Sequence, residues 1–476
     1  MKIKSLLSVC VVIMFFSAFA GAGEVDCFSV DFSKAIGSVK RLNGICNSPM
    51  LSNSRKSDTR KLFNALEPPY VRFHDAAHES PGFALIDVSR LFPLFHADVD
   101  DPENYDFEAT DDYLKWALES GAKLEFRLGE SIEHAPQVYR VRAPKDYAKW
   151  TEICAHIIRH YNEGWGKNGK HWNIEHWTIW EEPTSIPQLW STEDSDYDES
   201  MRKYYDLYCV AAVRLKKEFP NLKFGPALGA FEKQLREFVD YCAERHAPID
   251  FYAWTTYPRS PNRFFDEANL VRKVLDDQGY KHTKLSIAEW HIGPMSWRGH
   301  GDANPSKRFS ECWSAQLTGT ESGVFAAATL IKMQDAPIDM MYFYSWAAGH
   351  WGLVNRGGLL YPSYWGMKAF AEVAHGKTRV QAKTEPAKNW YMLATREESG
   401  KGHLLIAGYR AENCTGSASE PLKVKILGGM RPVKVKVLND AVDYEETTDW
   451  QWDDAKKELR LGRIFGESVL WHIILN

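Results

Sequence analysis

His176-Trp177-Thr178-Ile179-Trp180, then the stripe Tyr204, Tyr208, Ala211, Leu215 and Phe219 stopped by Pro220, then Leu222-Lys223-Phe224-Gly225 read as strand, helix, strand. The flanking runs are rich in β-branched and aromatic residues, which suit a pleated, buried backbone. The stripe places apolar side chains three and four residues apart on one helical face, and Pro220 cannot continue it. Working outward, the same alternation extends from about residue 40 to 375, with further strands beginning near Leu42-Asn43-Gly44-Ile45, Tyr70-Val71-Arg72-Phe73, Lys123-Leu124-Glu125-Phe126, Asp250-Phe251-Tyr252-Ala253, Leu285-Ser286-Ile287-Ala288 and Met340-Met341-Tyr342-Phe343-Tyr344. Eight such units predict a closed (β/α)8 TIM barrel. An open doubly wound sheet is the structural rival, but no Gly-rich turn follows the first strand to give it a nucleotide site.

After residue 377 the texture changes. Trp390-Tyr391-Met392-Leu393-Ala394 and His403-Leu404-Leu405-Ile406-Ala407 flank a polar turn, and Leu422–Ile426, Val433–Val437 and Ser468–Ile473 follow as short strands. This predicts a C-terminal antiparallel β-sandwich domain, packed on the barrel along one side, since strands alternating Lys with Val need a wet face. Residues 1–22 have the pattern of a signal peptide: Lys2 and Lys4, an apolar stretch from Leu6 to Phe19, and the small-x-small pattern of Ala18-Phe19-Ala20. Cys10 lacks the small preceding residue of a lipoprotein signal. The expected organisation is therefore signal peptide 1–22, barrel 23–376 and sandwich 377–476, with a secreted or periplasmic mature chain and no membrane span after signal removal.

The formal charge of -5 over 476 residues, with no block of Lys and Arg, excludes the electrostatic footprint of a nucleic-acid partner. The 18 Trp, 21 Tyr and 24 Phe supply flat faces that stack on sugar rings, although most must fill the core. Beyond Cys10, seven widely spaced cysteines form neither a disulfide scaffold nor a zinc pattern. Cys154, Cys209 and Cys242 read as buried apolar residues, Cys27 and Cys46 are candidates for a bridge, and Asn413-Cys414-Thr415 fits a glycosylation sequon.

Two glutamates stand at strand ends: Glu182 in Ile179-Trp180-Glu181-Glu182-Pro183 after the fourth strand, and Glu289 in Ile287-Ala288-Glu289-Trp290-His291 at the seventh. A lone carboxylate there would be read as half of an ion pair. A pair on the catalytic rim of one barrel is what glycoside hydrolysis requires, one group protonating the leaving oxygen and one attacking the anomeric carbon or activating water. Surrounding aromatics raise a carboxyl pKa by desolvation.

Trp180-Glu181-Glu182-Pro183 resembles the Asn-Glu-Pro acid/base motif of clan A glycoside hydrolases, and Ile287-Ala288-Glu289-Trp290 resembles their nucleophile strand. Glycoside hydrolase family 39, the family of β-xylosidases and α-L-iduronidases, is the closest resemblance. Tyr70-Val71-Arg72-Phe73-His74 is similar to its second-strand motif, Asp250-Phe251 and Tyr257-Pro258 to its sixth, and Gly352-Leu353 with Pro362-Ser363-Tyr364 to its last loop and helix. The resemblance implies a retaining glycosidase with Glu182 as acid/base and Glu289 as nucleophile, a carbohydrate substrate with β-xylosides first, and no cofactor. This chain departs from the family at Glu181, where the pattern has Asn, and at Thr255, where it has His.

His74, Arg127, Glu181, Tyr257, Trp290 and Trp346 are the candidate substrate-binding residues, with Arg72, Glu130, Arg259 and His350 near them at strand ends. Tyr257 is a candidate donor to the nucleophile, and Glu181 is the alternative acid. His171, His176, His291 and His300 lack metal-ligand spacing, so no catalytic metal is expected. A carbohydrate-binding protein that kept the barrel and lost turnover is the rival reading, motivated by Glu181 and Thr255.

Overall fold

A computed structural model describes residues 27–49, 58–74, 84–131, 142–183, 197–293, 314–355, 357–385, 389–409, 421–462 and 468–476. The expected signal peptide, the sequon and Cys312 lie outside these residues. Eight parallel strands close into a barrel in sequence order: β2 (Gly44–Cys46), β3 (Tyr70–Phe73), β4 (Lys123–Leu128), β5 (His176–Ile179), β6 (Lys223–Leu228), β7 (Phe251–Thr256), β8 (Lys284–Trp290) and β9 (Met340–Phe343), with β9 pairing back to β2. The strands are buried almost throughout, as expected where helices cover the outside and side chains fill the inside. Parallel pairing has a functional consequence: every carboxyl-terminal strand end opens on the same rim. No described helix is long and apolar enough to cross a membrane.

The second module is a ten-stranded, mostly antiparallel sheet in the order β15-β14-β18-β12-β11-β10-β1-β13-β17-β16. Its strands are β1 (Cys27–Ser38), β10 (Thr378–Glu385), β11 (Trp390–Arg396), β12 (Gly402–Gly408), β13 (Leu422–Leu427), β14 (Pro432–Asn439), β15 (Val442–Thr447), β16 (Trp450–Asp453), β17 (Glu458–Leu461) and β18 (Val469–Leu475). Val435 and Val437 near one end of that order and Leu459 and Leu461 near the other share one core with Phe28 and Leu404, so the sheet folds over itself.

β1 precedes the barrel in sequence yet belongs to this module, antiparallel to β10 and parallel to β13. Alternation explains it: Phe28, Val30 and Phe32 all turn into the sandwich core. The sequence division at residues 23–376 had assigned this segment to the barrel.

Cys46 is a free, buried thiol that meets the Ala288 carbonyl at 3.3 Å, which overturns the candidate bridge to Cys27. The reason is topological, because Cys46 ends a strand inside the barrel whereas Cys27 begins a strand of the other sheet. Cys154, Cys209 and Cys242 are also free and buried.

β12 shows how the two modules join. Leu404 and Ile406 face the sandwich core, whereas Leu405 and Ala407 face the barrel's core together with Tyr409, so this strand is apolar on both sides. Helices Thr320–Lys332 and Pro362–Ala374 pack against the same face. They approach backbone to backbone at Gly323 and Gly366, where an added Cβ would overlap the partner helix. β13 retains the alternation expected of a half-wet strand, with Lys423 and Lys425 exposed and Val424 and Ile426 buried.

Candidate active site

The site grows from inward-pointing residues on adjacent strands. Arg72 on β3 lies in register with Glu125 on β4, and both side chains are wholly buried. The Arg72 guanidinium reaches Glu125 Oε1 from Nε at 3.1 Å, Glu181 Oε2 from Nη2 at 2.7 Å, and Glu289 Oε1 from Nη1 at 3.4 Å. The Thr178 hydroxyl on β5 donates to the same Glu125 oxygen at 2.6 Å. Burial works against the charge of Arg72, but the three carboxylates outweigh it and keep the guanidinium a cation.

Both oxygens of Glu289 are held. His74 Nε2 lies 2.8 Å from Oε1, and the Tyr257 hydroxyl donates to Oε2 at 2.7 Å. Burial alone would push this carboxyl up; His74, Arg72 and Tyr257 together overcome it and hold the group at about 2. Glu289 is therefore an anion presented with fixed geometry.

Immediately after β5 the chain turns sharply. Trp180 has φ +70° and Glu182 φ +31°, left-handed conformations that side-chain-bearing residues rarely adopt. The Trp180 N–H donates to the Leu128 carbonyl at 2.6 Å. Gly129 makes the close approach possible, because a Cβ there would stand 2.9 Å from the Trp180 Cα. The turn aims two consecutive glutamates at the same space: one carboxyl oxygen each of Glu181, Glu182 and Glu289 lies within 4.8 Å of the others.

Burial drives the Glu181 carboxyl above its ordinary value and the nearby Glu289 charge adds to this, while Arg72 and His74 oppose it. Neighbouring carboxyls pushed in opposite directions are the arrangement expected where acid and base roles are divided. These three glutamates are also the one set among the described residues whose oxygens could converge on a cation, although Arg72 already supplies positive charge to two of them.

With this geometry in view, the relatives of the chain are informative. The profile of Glycosyl hydrolases family 39 matches residues 64–452. The chain belongs to that family. It is a glycosidase by membership, similar over 366 residues at 23% identity to a β-xylosidase of Caldicellulosiruptor saccharolyticus, an alignment covering 71% of this chain and 69% of that enzyme. A β-xylosidase of Geobacillus stearothermophilus is 27% identical over 172 residues, so this match spans only 32% of either chain. Among solved structures, a glucosidase from Croceicoccus marinus shares the fold with a TM-score of 0.72 at 20% identity, covering 95% of this chain and 99% of that one.

In this family 39 chain the structure brings Arg72, His74, Glu181, Glu182, Tyr257 and Glu289 together, and it places the remaining candidates elsewhere. Arg127 is wholly buried, bonded to the His74 carbonyl and, at 2.7 Å, to Asp87 Oδ1, so it holds the backbone behind the site. Trp290 packs edge-on to Phe343 and Phe264, with ring centroids 5.0 and 5.9 Å away. Trp346 packs edge-on to Phe63 at 5.0 Å, and its Nε1–H donates to Thr59 at 3.3 Å. Glu130 accepts from the Ser89 N–H and hydroxyl, and burial with the charge of Asp87 pushes it up to about 8. Arg259 pairs with Glu321 at 3.8 Å, and His350 is exposed on a short turn.

Glu125 and Thr178 were missed by sequence reasoning; Glu125 pairs in register with Arg72, the signal that could have found it, whereas Thr178 pairs with Arg127 and carries no such signal. Trp351, whose ring meets that of Tyr257 at 5.2 Å, follows the last strand in a single 3-10 turn and carries none either. A cavity of about 700 Å³ lined by Tyr70, Lys123, His176 and Lys223 lies at the opposite, amino-terminal end of the strands, away from the carboxyl cluster.

Proposed function

We propose that this chain is an exported, retaining glycosidase in which Glu289 attacks the anomeric carbon and Glu182 serves as acid and then base. The observation that carries this reading is the convergence of Glu182 and Glu289. Their oxygens approach within 4.8 Å, close to the roughly 5 to 5.5 Å of retaining enzymes and short of the roughly 6.5 to 9.5 Å that leaves room for an attacking water in inverting ones. Glu289, ionised and held at both oxygens, suits a nucleophile. Glu181 is 1% exposed and tied to Arg72, whereas Glu182 is 8% exposed, and a group that must exchange its proton with an incoming water benefits from that access.

The reaction follows in two displacements. Glu289 bonds to the anomeric carbon as Glu182 protonates the departing oxygen; Glu182 then takes a proton from water, which displaces Glu289 and leaves the anomeric configuration unchanged. β-Xylosides are the first substrate to test, given two relatives described as β-xylosidases, with glucosides next because the structural neighbour is a glucosidase. Export rests on the charged, apolar and small-residue pattern of residues 1–22.

The test is a 2-deoxy-2-fluoro glycoside with a good leaving group, followed by peptide mass analysis. Trapping on the peptide containing Glu289, with NMR showing product of the starting anomeric configuration, supports the reading. Label on another carboxyl, or product of the opposite anomer, rules it out. Binding without label or turnover would instead make the barrel a carbohydrate-binding protein.

A further inference from the structure

The second module reaches the segment that carries Tyr257. Between the end of β7 at Thr256 and the helix Pro261–Asp277, residues 257–260 belong to no helix or strand. Tyr257 meets Glu289 at 2.7 Å, and two residues later the Arg259 carbonyl accepts a 2.9 Å hydrogen bond from the hydroxyl of Tyr409, which immediately follows β12 of the sandwich. The same hydroxyl lies 3.4 Å from Glu321 Oε1, the carboxylate that pairs with the Arg259 side chain. Tyr409 is itself fixed: it is 1% exposed, its ring stands edge-on to Phe325 at 5.3 Å, and its N–H donates to the Asn389 carbonyl at 3.0 Å. On its other side the segment is stitched to the residues just after Glu289, because the Gly293 N–H donates to the Pro258 carbonyl at 3.3 Å.

We infer that Tyr409 is a positioning residue for the reaction: its hydroxyl fixes the Tyr257–Arg259 segment so that the Tyr257 hydroxyl stays on Glu289, making the sandwich part of the catalytic machinery. This rests on Glu289 acting as the nucleophile. A short irregular segment has few bonds of its own to define its position, and loss of alignment by about 1 Å at a reacting centre costs on the order of a hundredfold in rate. An anchor on a rigid two-sided strand supplies the missing constraint. It also gives β12 a role beyond packing, since Leu405, Ala407 and Tyr409 present one continuous row to the barrel.

The experiment is a double-mutant cycle in the full chain with Tyr409→Phe and Tyr257→Phe. Phenylalanine at 409 keeps every ring contact with Phe325 and removes only the hydroxyl, so folding should be retained, as melting temperature will verify. Tyr409→Phe is expected to lower kcat roughly three- to tenfold, the worth of one lost hydrogen bond, with KM changed less than twofold and the acid limb of the pH profile moved upward. The double variant should be little worse than Tyr257→Phe alone, because both changes act through one contact. Tyr444→Phe, which removes another inter-module hydroxyl where Tyr444 meets Glu372 at 2.8 Å, should leave kcat unchanged.

The proposal is overturned if Tyr409→Phe has wild-type kcat and pH profile, if its effect simply adds to that of Tyr257→Phe, or if Tyr444→Phe slows turnover as much. It is equally overturned if Tyr257→Phe has no effect to transmit. Trapping on Glu289 is measured separately, so failure of the positioning role and failure of the nucleophile assignment give different results.

Discussion

Arg72 Nη2 and Glu181 Oε2 lie 2.7 Å apart with both side chains sealed from solvent, and the same guanidinium reaches Glu125 and Glu289. The acidic residue beside Glu182 is thus tied into an ion network that also holds the opposing carboxylate. Such a network stabilises little against an apolar alternative, but removing one partner leaves the others uncompensated in a low dielectric. Arg72→Met should therefore cost about 3 to 5 kcal/mol, read as a fall in denaturant midpoint. Adding Glu181→Leu to that variant should recover part of the loss; a double variant no more stable than Arg72→Met would show that charge is not the cause.

The nucleophile role proposed for Glu289 requires an anion, and its ionisation is maintained against burial by His74, Arg72 and Tyr257. Removing the Tyr257 hydroxyl lets the carboxyl move from about 2 toward its ordinary 4.5. The sign follows directly: with a higher Glu289 pKa, activity is lost earlier as pH falls. A hydrogen bond to a charged group is worth about 1.5 to 3 kcal/mol, so Tyr257→Phe should raise the acid limb of kcat/KM by about one to two pH units. An unmoved limb would mean that Tyr257 does not sustain the anion.

The acid role proposed for Glu182 carries an expectation that depends on the leaving group. General acid catalysis is worth about a hundred- to ten-thousandfold when the departing oxygen is a poor leaving group. Glu182→Gln should therefore slow hydrolysis of an oligosaccharide by that factor while barely affecting glycosyl-enzyme formation from a dinitrophenyl glycoside, as measured by the release burst. Equal losses on both substrates would transfer the acid role to another residue, with Glu181 the first to examine.

The barrel was legible because its strands are buried on both sides and their helices carry stripes, so each unit announces itself locally. The second module was half legible: β13 and β14 alternate Lys with apolar residues and β11, β12 and β18 are short apolar runs, but β1 finds its partners about 340 to 400 residues away in β10 and β13, and no local pattern can reveal such a pairing. The site divided along the same line. Glu182, Glu289, His74 and Tyr257 sit where strands end, a position that sequence exposes. Trp290 and Trp346 sit there too, yet their rings turn into aromatic packing, because facing along a strand end depends on half a turn of backbone that composition does not encode. Glu125 was hidden for the opposite reason: an acid in mid-strand looks like an error in a buried segment until Arg72 is seen beside it.

Acid should loosen the junction between the modules before it denatures either core. His472 is buried beside Tyr444 at 2.7 Å, His403 at 3.0 Å and Glu372 at 3.3 Å, with Lys436 on Glu372 at 2.9 Å and Glu397 on His403 at 2.8 Å. Burial, aided by the charges of His403 and Lys436, lowers His472 to about 4 in spite of Glu372. Because the unfolded imidazole titrates near 6.5, the unfolded state takes up the proton first and stability falls as pH drops from 6.5 to about 4. Glu372 acts in the same direction at lower pH: burial would raise it, but His472 and Lys436 hold it far below 4.5, so its contribution is present above 4.5 and is lost as pH falls toward its folded value. For His472 the difference amounts to roughly 3 kcal/mol. Denaturant midpoints measured at pH 7 and pH 4.5 should therefore converge in His472→Gln relative to the parent chain, whatever the variant costs at pH 7, and a parallel decline in the two proteins would show that this histidine does not set the acid sensitivity.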